Sequence, residues 1–307
     1  MTGGSDAALV ETVSRRGTAV PRRGRPPQAW DRLKRNPLAL AGLAVVGLVV
    51  LAAILAPWVA PFDPVEQFPD GLSPEGRPLG PTGQFWLGTD LLGRDLVSRL
   101  LYGARVSLLV GVLANGAALL IGTMLGGLAG YLKGWTGAVF MRFTDMMMAF
   151  PALLLAIALS AILRPSLWIV ALVIALVNWV WIARVVYAQM LALSSREFVE
   201  AARAVGVPTG RLLVRHLLPH LVPTLLVWGT LGVSTTVLFE AALSFLGVGV
   251  RPPTPSWGGM INESQSYFLD APWLVIFPGM AILVTSLAFN LVGDGLRDAL
   301  DPQMRGR

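Results

Sequence analysis

The stretch Glu197-Phe198-Val199-Glu200-Ala201-Ala202-Arg203-Ala204-Val205-Gly206, followed shortly by Leu218-Pro219, decides how this chain is built. It is polar and charged, yet it lies between two apolar runs long enough to cross a bilayer. A lipid-facing position is closed to it, because each Glu or Arg at bilayer depth costs about 3 kcal/mol. It therefore reads as a water-exposed element held rigidly between two membrane helices. A protein that passes force from a soluble partner into the membrane needs such an element. Glu, Ala and Arg favour helix over Ser195–Val205. Ser194 or Ser195 is placed to cap that helix, Glu197 and Glu200 complement its dipole, and Gly206 stops it. Pro208-Thr209-Gly210 turns the chain, and Arg211–Leu218 reads as a second short helix running into Pro219. The small Ala201 and Ala202 let a partner's cleft close around the first helix, while Glu200 offers an anchor for an arginine or a backbone amide. An ordinary basic loop would not need two short helices with paired stops.

Composition supports the membrane reading. Of 307 residues, 54% are apolar and 14% charged, where soluble domains sit near a quarter charged. Mean hydropathy is +0.65. Six uncharged runs emerge: Leu38–Ala60, Val106–Leu132, Met146–Leu163, Pro165–Ala183 (extending as helix past Arg184 to Leu193), His220–Phe239 and Ala271–Gly293. Each must be helical, since unpaired backbone groups are too costly in lipid. The expected fold class is all-α, a polytopic membrane protein with six transmembrane helices.

Lysine and arginine set the orientation. With the N-terminus inside, 18 of the 24 positive residues fall on the inner side and 6 on the outer. Both termini are therefore expected to be cytoplasmic. The first run is read as an uncleaved helix, because its 37-residue lead-in and 23-residue apolar stretch are too long for a signal peptide. The expected organisation has five parts. Residues 1–30 form a disordered basic N-terminus, and 31–61 an interfacial segment with the first span. Residues 62–104 form an external loop, 105–293 a core containing the loop 194–219, and 294–307 a cytoplasmic tail. Within the external loop, Asp90–Tyr102 reads as an amphipathic helix lying at the outer surface. Asp270 is placed to cap the sixth span.

No catalytic constellation is present. There is no Gly-x-Ser-x-Gly, no Walker A sequence and no His-Glu-x-x-His. The absence of Cys excludes disulfides and thiolate sites, and two His make a zinc centre very poorly supported. The net charge of +6 is explained by loop placement and anionic lipid rather than by nucleic acid. Gly126, Gly127 and Gly130 are followed by no Lys-Ser/Thr, so they read as helix-packing positions and not as a phosphate loop. Two acids lie near apolar runs. Asp145 is a functional candidate, set against simple pairing with Arg142. Glu240 either hydrogen-bonds across helices and shapes an outer gate, or snorkels to the outer surface.

Several motifs, in order, carry a family resemblance. Glu200-Ala201-Ala202, then Gly206, then Leu218-Pro219 resemble the coupling loop of ATP-binding-cassette importer permeases, with His216 where Ile is usual and His220 where Asn is. Leu87-Gly88-Thr89-Asp90, Gly93-Arg94-Asp95 and Ser98-Arg99 are similar to the dipeptide/oligopeptide branch. So are Leu243–Gly249, Pro255-Ser256-Trp257-Gly258 and Gly293–Pro302. The likeness covers roughly residues 35–303 and is nearest to the second, C-type, permease of peptide importers.

That resemblance implies a five-helix importer core preceded by an extra helix, and a pore-forming subunit of the cytoplasmic (inner) membrane of a prokaryote that is not itself an enzyme. It implies no cofactor in this chain, ATP and Mg being bound by two cytoplasmic ATPase subunits. A second, homologous permease would complete a heterodimer, and an extracytoplasmic binding protein would deliver substrate. The implied ATPase-coupling residues are Glu197, Glu200, Ala201, Ala202, Arg203, Gly206, Arg215 and Pro219. Candidates for a gate or external contact are Asp90, Arg94, Asp95, Arg99, Glu240 and Trp257. Di- and oligopeptides are the expected cargo, with nickel chelates or glutathione as the alternative. An ion-coupled secondary transporter would instead require two related halves with broken mid-membrane helices, and no such repeat is evident.

Overall fold

The computed structural model describes residues 29–163 and 166–300. Most of the basic N-terminal segment, the Arg164-Pro165 junction and the last seven residues lie outside them. The described chain is helical, with two isolated β-bridges and no strand. A short helix α1 (Ala29–Leu33) leads into α2 (Pro37–Val59), whose first amides are capped by the Asn36 side chain at 3.1 Å. Then come α3 (Leu96–Leu132), α4 (Gly134–Ala149), α5 (Ala152–Ile162) and α6 (Leu167–Leu193). After the short α7 (Glu197–Ala204) follow α8 (Thr209–Phe245), α9 (Trp257–Ser264) and α10 (Trp273–Leu300). Five of these helices are long and apolar enough to cross a membrane, and the bent pair α4 and α5 makes a sixth if it is counted as one span.

Three sequence expectations are revised. The apolar run Met146–Leu163 is not one straight helix. Phe150 is extended before Pro151, and the helices on either side meet at 87°. Asp90–Tyr102 is not a separate surface helix. Asp95 caps α3, which runs unbroken from Leu96 through the second apolar run. Nor does Arg211–Leu218 stop at Pro219. A π-helical stretch over Leu212–Leu217 carries the helix past Pro219, the wider turn accommodating the missing proline N–H.

The most extensive helix pair is α3 with α6, and glycine is the reason. A Cβ at Gly122 would lie 2.8 Å from the Trp179 carbonyl, and one at Gly130 2.7 Å from that of Tyr187. One at Gly126 would overlap the Ala183 main chain. Spaced one turn apart, these residues let the two backbones touch. Away from such contacts the helices show apolar surface, as with Leu48, Leu51 and Ile54 on α2 and Leu120 and Met124 on α3. In water that surface would be unstable; lipid satisfies it.

Candidate functional site

The functional candidates gather at opposite ends of the bundle. At one end α7 packs against α3 and α8. Its only buried side chain is Val199, which joins Leu212, Leu217 and Leu221 in a shared apolar cluster. Arg203 lies over the Tyr131 ring at 4.9 Å, the Phe198 and His220 rings are 5.5 Å apart, and Lys133 donates to the Ser195 hydroxyl at 2.9 Å. Ser194 and Ser195 do not cap α7, contrary to the sequence reading. Both hydroxyls donate back to the Leu191 carbonyl at the end of α6, and the N-cap position falls to the extended Arg196. The C-terminus matches expectation. Gly206 adopts φ +81°, its N–H bonds to the Arg203 carbonyl, and the Val207 N–H bonds to that of Ala202. This is a Schellman closure, which needs a residue free of a Cβ at the left-handed position.

Glu197, Glu200, Ala201, Arg203, Gly206, Arg215 and Pro219 are all exposed at this end. Ala202 is not fully available to a partner: it is half-buried against the protein's own apolar cluster. A fixed helix therefore presents two carboxylates, a guanidinium and a small-residue surface to solvent. It is held by one buried valine and two aromatic contacts, with the Lys133–Ser195 hydrogen bond just ahead of it.

At the opposite end, Asp90, Arg94 and Arg99 meet a residue that sequence reading did not single out, Glu263 of α9. Asp90 Oδ1 accepts from the amides of Leu92 and Arg94 at 2.9 and 3.0 Å, while Oδ2 takes Arg94 Nε at 2.6 Å and faces Arg99 Nε at 3.2 Å. Glu263 Oε2 accepts from Arg94 Nη2 at 2.9 Å and Arg99 Nη2 at 2.8 Å. Two carboxylates thus bridge two guanidiniums that are 5% and 1% exposed. Asp95 stands apart, capping α3 through the Ser98 amide and hydroxyl, both at 2.7 Å.

A second polar node lies deeper. Glu240 on α8 is fully buried and does not snorkel. It accepts from Ser107 of α3 at 3.0 Å and from Ser244 at 2.7 Å, and the Ser256 hydroxyl lies 3.3 Å from that of Ser244. Trp257 seals the node. Its amide reaches Ser107 at 3.4 Å, its indole N–H donates to the Leu100 carbonyl at 3.1 Å, and Gly103 leaves room for the ring. Asp145 pairs with Arg184 and not with Arg142, because α4 lies against α6 and the facing guanidinium reaches it first. No group of His, Asp and Glu among the described residues is arranged to hold a metal ion.

The bundle thus carries an exposed polar helix at one end and buried ionic joints at the other. The family model for binding-protein-dependent transport system inner membrane components matches residues 122–306. The chain belongs to that family. The model for the N-terminal transmembrane domain of oligopeptide transport permease C matches residues 28–74. Among relatives of this transport component, the dipeptide transport system permease protein DppC of Alkalihalophilus pseudofirmus is 44% identical, covering 91% of this chain and 90% of the relative. The di/tripeptide transport system permease protein DppC of Pseudomonas aeruginosa is 46% identical over 90% and 91%. The glutathione transport system permease protein GsiD of Escherichia coli is 43% identical over 90% of each. The solved structure of the MetNI methionine ABC transporter in inward-facing conformations shares the fold. Its TM-score is 0.56 at 17% identity, covering 66% of this chain and 96% of that one.

Proposed function

We propose that this chain is one of two permease subunits of an ATP-driven importer of di- and oligopeptides, and that α7 is its coupling helix. The observation that carries this is α7 itself: Glu197, Glu200, Ala201 and Arg203 exposed on a helix whose Val199 is wholly buried. In this reading both termini are cytoplasmic, in the inner membrane of a prokaryote. Two ATPase subunits bind ATP and Mg, each gripping one coupling helix, and this chain holds no cofactor of its own. A second, homologous permease completes the pore, and an extracytoplasmic binding protein docks on the Arg94 end. When the ATPases close, they displace α7. Its packing under α3 and α8 passes that displacement to the spans and alternates access.

The peptide assignment is supported by relatives named for dipeptides, di/tripeptides and glutathione, the last itself a tripeptide. The test is to purify the chain from its native membrane, identify what accompanies it, and reconstitute that assembly. ATPase subunits and a second permease should co-purify, and short peptides should stimulate ATP hydrolysis more than nickel chelates do. Uptake by the polypeptide without any nucleotide-hydrolysing companion would end the proposal.

A further inference from the structure

Between α6, α8 and α10, at the end that carries α7, lies an open cleft of about 680 Å³. Its size falls in the range of small-molecule sites. Leu193, His220, Arg297 and Leu300 form its mouth, and Gln189, Thr224, Trp228 and Leu231 line it further along the helices. The Gln189 amide donates to the Thr224 hydroxyl at 2.9 Å, tying α6 to α8 across it. Its three walls are long apolar helices and its lining is mainly apolar, so the few polar side chains set into it have no role against lipid; such side chains face one another or a water-filled route. Among the described residues, His220 and Arg297 are the charged or imidazole side chains that line it, and no acid does. The ring of Phe198 on α7 packs against His220, so α7 touches the mouth of the cleft directly.

We infer that this cleft is the inward portion of the substrate route, and that Arg297 at its mouth receives the free carboxylate of a short peptide on its way out, with the Gln189–Thr224 pair further along the same cleft. A guanidinium is the side chain best matched to a carboxylate, and it remains charged at any working pH. The amide and hydroxyl suit peptide N–H and C=O groups, and Trp228 with Leu231 accepts apolar side chains. Contact with His220 makes the cleft's shape depend on the position of α7, so motion imposed there reaches the cleft directly.

The inference rests on the importer reading, and its test separates the two. The whole reconstituted complex, with ATPases and binding protein, is offered one tripeptide as the free acid and as the C-terminal amide, and the ratio of the two uptake rates is measured. The same binding protein serves every variant, so its own preference cancels when ratios are compared. Arg297→Gln should lower the acid-to-amide ratio about tenfold, as expected for loss of one charge-assisted hydrogen bond, and Arg297→Lys should restore much of it. Thr224→Glu should lower the ratio with Arg297 intact, by placing a like charge in the same cleft. An unchanged ratio in both Arg297→Gln and Thr224→Glu overturns the inference and leaves the importer reading standing. Equal loss of both substrates together with loss of the ATPases also overturns it, making Arg297 a subunit contact. If the native complex moves neither peptide, both readings fall.

Discussion

The two ends of the bundle solve opposite problems with the same kinds of side chain. At the Arg94 end, charges are buried and paired with one another: two guanidiniums, two carboxylates, and a hydroxyl-ringed glutamate just below. At the α7 end, the glutamates and arginines are exposed, and one buried valine with two aromatic contacts holds the helix to the bundle. Buried charge pairs contribute little net stability, but they tolerate no loss of a partner and fix one arrangement of the elements they join. Exposed charges contribute almost nothing to the fold and are available to another molecule. One end is therefore built to hold its geometry, the other to be grasped.

The sharpest way to break that contrast is Glu263→Ala. It leaves Arg94 and Arg99 buried with one carboxylate between them and should cost about 3 kcal/mol, the low end for an orphaned buried charge because Glu263 is itself partly exposed. Thermal unfolding of the detergent-purified chain reads the effect. A melting temperature like that of the parent would mean the ionic joint is ornamental. Glu240→Ala should cost less, about 2 kcal/mol. It removes a buried acceptor from Ser107 and Ser244, but those hydroxyls can turn to each other's neighbours.

These two residues also mark how far the sequence could be read. The apolar runs announced the spans, Gly126 and Gly130 announced a close helix pair, and Gly206 announced its own Schellman closure, because each signal is local. What was missed is non-local. Arg99 was read as part of a separate surface helix, Asp90–Tyr102, with the second span beginning at Val106. The burial of Arg99 depends on Glu263, far along the chain, and no spacing rule links the two. One signal was available: Glu263 is one of only two acids in the stretch between Phe245 and Pro272, opposite a segment rich in arginine. Pro151 was a legible break that a count of apolar residues passed over. Pro219 was a plausible stop that the π-helical stretch before it overrode.

At the other end the expected effects shift from stability to coupling. Gly206→Ala places a Cβ at φ +81° and should cost about 1 kcal/mol. There is open space around the position, so the cost is backbone strain alone. The strain falls on the turn that fixes where α7 ends. ATP hydrolysis in the reconstituted complex should continue while peptide uptake falls. Uptake and hydrolysis declining in proportion would argue that the turn matters only for folding.

The smallest structural change should have the cleanest functional reading. Glu200→Gln alters a single exposed side chain that makes no hydrogen bond or ion pair with any described residue, so the melting temperature of the isolated chain should not move. Its carboxylate nevertheless lies in the first turn of α7 beside Glu197, on the surface a partner would cover. If an ATPase arginine or amide seats against it, neutralisation should weaken co-purification, and the loss should be largest at low salt, where the native attraction is least screened. Equal recovery of the ATPases from native and Glu200→Gln membranes at every ionic strength would show that the exposed end is not held by charge. The contrast between the ends would then rest on the shape of α7 alone, with Ala201 and the Gly206 turn as the remaining determinants.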